Sequence, residues 1–178
     1  ISSQIGCAQA CNFCMTGRMG RLRNLDNSEI LAQVYWGNKI CRVAGIYEID
    51  NIVFMGMGEP ADNIDAVVHA ANQLASNDLF QLTPRRITIS TVAPNPGVFA
   101  KLGAANAVLA WSVHASDDEL RRELVPTTRH SMQELRQGLI DALQQRSRRL
   151  RNTMLEITLL DGINDSVEHA HIWLTFAG

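Results

Sequence analysis

The chain has 178 residues, 46% of them hydrophobic, with 16 Lys and Arg set against 18 Asp and Glu for a formal net charge of −2. That length suits one domain with a sizeable core, and the balanced composition argues against a disordered chain or a strongly basic one. No apolar run approaches the roughly 20 residues that a membrane helix needs, and the opening Ile1-Ser2-Ser3-Gln4 lacks the basic and apolar regions of a signal peptide, so a cytoplasmic protein without membrane contact is expected.

Residues 2–6 read as a short strand that ends at the first Cys. Asp26-Asn27-Ser28-Glu29 then has the form of a capping box, and Ile30, Leu31, Val34, Tyr35 and Ile40 supply the apolar stripe of the helix it opens. Residues 51–57 form a continuous apolar run, as expected for a strand buried on both faces, and residues 64–74 form the next helix. Residues 86–92 are rich in β-branched side chains and predict a third strand, broken by Pro94 and Pro96 before a short helix over 97–102. A fourth strand follows over 108–114. Ser131 and Glu134 frame a second capping box that opens a long helix to about residue 149. A fifth strand covers 154–160, and residues 165–168 start a last helix. Strands alternating with helices, without a dinucleotide glycine fingerprint, predict an α/β fold: a partial barrel of about five parallel strands with its chemistry at their C-terminal ends. The chain opens without Met and stops inside an apolar stretch, which reads as a piece of a longer protein.

The cysteines carry the clearest chemistry. Cys7, Cys11 and Cys14 share one loop after the first strand, and Cys41 stands apart. Three crowded thiols and one distant one do not make a disulfide framework. So short a loop can wrap three thiolates around one face of a cubane cluster, and three protein ligands for four irons leave one iron open. The competing readings are redox thiols or a zinc site. Zinc would need a fourth ligand such as His69 or His114, neither at ligand spacing to the loop. At the end of the second strand, Gly56-Met57-Gly58-Glu59-Pro60 offers glycines for close ligand approach and a carboxylate able to hold an ammonium, or else an ordinary turn. Taken singly, Ser90 is a turn hydroxyl and His114 a satisfied core histidine. Arg pairs at 85–86 and 121–122 and the cluster Arg146, Arg148, Arg149 and Arg151 suit phosphate pairing, or a solvated surface.

The three-Cys loop resembles that of the radical S-adenosylmethionine (SAM) superfamily. Ser2 to Cys7, the Cys11-to-Gly17 loop, Arg23-Asn24-Leu25, the 55–60 and 85–91 segments, Ser112-Val113-His114-Ala115, Asp118 to Arg121, Leu124-Val125-Pro126 and 160–165 with Glu168-His169-Ala170 together resemble the RlmN/Cfr group, which methylates adenine carbons in RNA. The resemblance implies a 4Fe–4S cluster on Cys7, Cys11 and Cys14, and SAM contacts from Gly58, Glu59, Ser90, Ser112, Val113 and His114. It implies an RNA (adenine) methyltransferase, with C2 the favoured carbon, ribosomal RNA the substrate and tRNA a second one. A low-potential electron donor and a monomeric parent go with it.

Two departures matter. After Thr91 the group continues Ser-Gly, and here the chain reads Val92-Ala93-Pro94-Asn95-Pro96. The group also uses two further cysteines, one of which carries the transferred methyl, and Cys41 matches neither. The carrier is therefore expected outside this chain, with an N-terminal RNA-binding domain and the last barrel strand. Residues 1–178 would then be a radical SAM core domain with no catalytic residue of its own beyond its cofactor ligands. A radical SAM paralogue with another substrate, and a cluster-binding piece without turnover, stay open as alternatives.

Overall fold

Two separate sheets take up the strands in the computed structural model, which describes residues 1–177. The main sheet is parallel, in the order β3 (Ile52–Phe54), β4 (Ile87–Thr91), β5 (Val108–Ser112) and β6 (Thr153–Glu156). The small one pairs β1 (Gln4–Gly6) antiparallel with β2 (Arg21–Asn24). Six helices join them: α1 (Asn27–Ala44), α2 (Ile64–Leu74), α3 (Val98–Leu102), α4 (Asp118–Leu124), α5 (Met132–Gln144) and α6 (Val167–Ala177). Ile87, Ile89, Leu109 and Trp111 of the central strands are fully buried, as a parallel sheet covered by helices demands. Val67, Ala70, Ala71 and Leu74 of α2, with Phe99 and Leu102 of α3 and Leu135 of α5, close the core over it.

Both expected capping boxes are present. The Asp26 carboxylate accepts from the Glu29 amide (2.8 Å), and the Ser131 hydroxyl accepts from the Glu134 amide (3.2 Å). The α/β class also stands, but the parallel sheet has four strands rather than five. The segment expected as its first strand runs beside the end of β3, where the Ile1 ammonium donates to the Val53 carbonyl (2.7 Å) and the Ser3 amide to the Met57 carbonyl (2.9 Å). Its ladder partner is β2, whose four residues are all exposed. The helix expected to reach residue 149 ends at Gln144. The chain turns there because Arg146, 7% exposed, swings inward to donate to the carbonyls of Ala105 (2.9 Å) and Ala107.

Candidate functional site

The Cys loop is held down on several sides. The Cys7 amide donates to the Gly20 carbonyl (3.1 Å), and the Cys14 amide to the Cys11 carbonyl (3.0 Å). Asn12 ties the loop to the end of α4, its amide donating to the Leu124 carbonyl (3.0 Å) and its side chain to the Glu123 carbonyl. Buried Gln9 donates to the Asp62 carboxylate (2.9 Å) and accepts from the Thr127 hydroxyl. So fixed, Cys7, Cys11 and Cys14 are free, half-buried thiols that line one cavity with Gly58, Glu59, Ser90, Ser112 and His114. The polar groups come from the C-terminal ends of β3, β4 and β5, and Glu156 adds the end of β6.

Each of these groups has a defined local role. Gly58 has φ +99°, and a Cβ there would stand 2.6 Å from the Gln4 side chain. The glycine thus serves close packing of the segment before the Cys loop, a reason different from ligand approach. Glu59 is 3% exposed, and its carboxylate accepts from the Ala61 amide (2.9 Å), the Val92 amide (3.0 Å) and the Thr91 hydroxyl. It therefore ties the end of β3 to the end of β4, and burial pushes its carboxyl up to about 7. The Ser90 and Ser112 hydroxyls lie 2.8 Å apart, and both donate toward the Glu156 carboxylate (3.0 and 3.1 Å). Buried His114 accepts from the Thr158 amide at Nδ1 (3.2 Å), which leaves the ring proton on Nε2. Burial pushes this imidazole down to about 4, so it is neutral near pH 7. The Phe13 ring packs edge-on against it, with centroids 4.8 Å apart.

Val113 is placed elsewhere. Strand alternation turns its side chain, 1% exposed, into the core. Its amide donates to the Glu156 carbonyl (2.9 Å), and its carbonyl accepts from Arg121. Residues not singled out from sequence complete the site. Glu156 is an acid at the end of an otherwise apolar strand, and that interruption is its signal. Asn164 is fully buried and donates to the carbonyls of His114 and Thr158 (2.8 Å each). Of the arginines considered for phosphate, Arg121 and Arg146 are buried braces, whereas Arg85, Arg86, Arg122, Arg148, Arg149 and Arg151 are exposed.

The donor set fits an iron–sulfur cluster better than a single ion. Among the described residues, no three His, Cys, Asp or Glu side chains converge as ligands of one metal ion, whereas a cubane takes each thiolate on a separate iron. His69, the other conceivable zinc ligand, lines a different cavity beside α2 and Lys101. Burial, followed by the neighbouring Cys7 and Cys14, pushes the Cys11 thiol up to about 12. A thiol so disposed needs a cationic partner to become a thiolate.

The model of the Radical SAM superfamily matches residues 1–174. Over 173 residues the chain is 43% identical to the probable dual-specificity RNA methyltransferase RlmN 1 of Protochlamydia amoebophila, covering 96% of this chain and 46% of that protein. Over 172 residues it is 42% identical to the dual-specificity RNA methyltransferase RlmN of Ruthia magnifica, covering 96% and 48%. A crystal structure of a radical SAM methyltransferase from Sphaerobacter thermophilus superposes with a TM-score of 0.87 at 36% identity, covering 97% of this chain and 50% of that one. The chain spans about half the length of the curated relatives it matches.

Proposed function

The chain belongs to the radical SAM superfamily, and on that premise we propose that it is the cofactor-binding core of an RNA methyltransferase. The proposed target is an adenine carbon, C2 in preference to C8, in ribosomal RNA and in tRNA. The relatives named RNA methyltransferase RlmN support this reading. The observation that carries it is the single cavity in which three free thiols face polar groups from four strand ends.

In this reading Cys7, Cys11 and Cys14 hold a 4Fe–4S cluster, and the iron without a thiolate is left for SAM. Once bound there, cluster and SAM would supply one-electron reductive cleavage of a sulfonium. The chain's own groups position and shield. His114 offers an Nε2–H donor, and Ser90 and Ser112, with their protons turned to Glu156, offer oxygen acceptors to ligand hydroxyls. Phe13 walls the cavity against water. Glu59 fixes the spacing of two strand ends, so its contact with SAM uses whatever lone pairs its three internal bonds leave. Cys41 lies on α1 and does not line the cavity. This reading assigns the methyl-carrying cysteine and the RNA-binding surface to residues beyond these 178. A low-potential donor delivers the electron.

Labelled SAM tests the reading directly. Anaerobically reconstituted protein that includes the carrier cysteine, given a reductant and ribosomal RNA or tRNA, should yield label in methyladenosine after digestion to nucleosides. Residues 1–178 alone should yield none. No label from cluster-loaded protein on either RNA would favour a second reading, the same radical chemistry on another substrate. One observation supports that alternative: Val92, where the RlmN/Cfr group carries Ser, lines the cavity.

A further inference from the structure

Arg121 of α4 is 0% exposed. Its guanidinium donates to the carbonyls of Ser112 (3.1 Å), Val113 and Val92, and lies 5.6 Å from the centre of the Trp111 ring. Its Nε has no hydrogen-bond partner, and among the described residues it forms no ion pair. A buried full charge without a counter-ion is costly. Burial lowers its pKa only to about 10, so the charge persists at neutral pH.

The nearby acids are already engaged. Asp118 accepts from the Met132 amide (2.6 Å) at the start of α5. Glu59 is bonded to Ala61, Thr91 and Val92. What remains is the Cys loop. The Asn12 amide is bonded to the carbonyl of Leu124, one turn after Arg121 on the same helix. Cys11 and Phe13 pack against Ala115, Leu124 and Val125. The helix that carries the unpaired cation thus lies directly against the loop that carries the thiols.

We infer that Arg121 is the internal counter-charge of the cluster held by Cys7, Cys11 and Cys14, and that it raises the cluster's reduction potential. The inference rests on the cluster reading above. Three thiolates on a cubane make an assembly that is already anionic and becomes more so on gaining one electron. A fixed, water-excluded cation therefore favours the reduced form. Arg121 is thereby a positioning residue for charge, acting through the cluster rather than on substrate.

Anaerobically reconstituted wild type, Arg121→Lys and Arg121→Gln should be compared by iron content and by a redox titration with titanium(III) citrate, following the paramagnetic signal of the one-electron-reduced cluster. Equal iron is expected in all three. Arg121→Lys should titrate close to wild type. Arg121→Gln should have a reduced-to-oxidised ratio lower by about tenfold at a given potential, equivalent to about 59 mV for a one-electron couple. Full iron in Arg121→Gln with an unmoved potential overturns the counter-charge. Absence of iron from wild type overturns the cluster reading itself, and the inference with it. If Arg121→Gln does not fold, Arg121→Met takes its place. Failure of both neutral variants while Arg121→Lys folds and loads would show a cation required by the fold alone, and would also overturn the assignment.

Discussion

Glu59 and His114 face one cavity and titrate in opposite senses. Burial raises the Glu59 carboxyl from 4.5 to about 7. Between those values the folded chain holds a proton that the unfolded chain has released, so this group makes stability fall as pH rises through the window. Burial lowers His114 from 6.5 to about 4. There the unfolded chain holds the extra proton, so this group makes stability fall as pH drops through its window. The two largely cancel in wild type. In urea titrations of the metal-free chain, the stability advantage of wild type over Glu59→Gln should shrink by about 3 kcal/mol from pH 4.5 to pH 7. Its advantage over His114→Gln should grow by a similar amount from pH 4 to pH 6.5. Differences independent of pH would show that neither group is buried as described. The thiols were legible because three cysteines share one short loop, whereas the strand-end polar groups entered only with the family resemblance, since a lone Ser or His at a strand end carries no signal of its own. Arg121 was not, because a buried arginine and a solvated one look alike in sequence. Val113, expected among the contacts, has its side chain in the core, because strand alternation sends it to the face opposite Ser112 and His114.

At the scale of elements, caps and breakers were the readable signals. Asp26 and Ser131 marked the starts of α1 and α5, and α2 spans the expected residues 64–74. The exposed strand β2 has no apolar alternation to announce it. The missed helix α4 did carry a signal: Asp117 caps it through the amides of Glu119 (3.0 Å) and Leu120 (2.9 Å), with acids in the first turn and arginines in the last. Packing between elements was not readable at all. A Cβ at Gly138 of α5 would stand 2.7 Å from the Cβ and the carbonyl oxygen of Pro96. Pro96 ends the segment that begins with Val92 on the cavity wall. Gly138→Ala should therefore destabilise the chain despite a helix-propensity gain of about 1 kcal/mol, because overpacking costs about 1–3 kcal/mol. It should also weaken SAM binding to cluster-loaded protein severalfold. Thermal melts and calorimetric titration check both, and a raised melting temperature with unchanged affinity would show that the two elements part freely.

The whole molecule is a parallel sheet whose four strand ends share one cavity with an anchored cysteine loop. Parallel topology was expected because helices separate the strands. The strand count was misjudged because backbone bonds beside β3 do not make the first segment a member of the main ladder. Since the loop is held by backbone and Gln9 contacts rather than by the thiols, Cys11→Ala should keep the far-ultraviolet circular dichroism of wild type. After reconstitution it should lose the visible iron–sulfur absorption. A collapse of secondary structure in Cys11→Ala would mean that the thiol itself holds the fold. The central claim is that three thiolates hold a cubane and leave one iron open to SAM. Mössbauer spectra of the iron-57-reconstituted chain, recorded with and without SAM, test it most directly. The account predicts about four irons per chain, with one of them changing its spectrum when SAM is added. A single iron per chain, or a full cluster whose irons all ignore SAM, would contradict it.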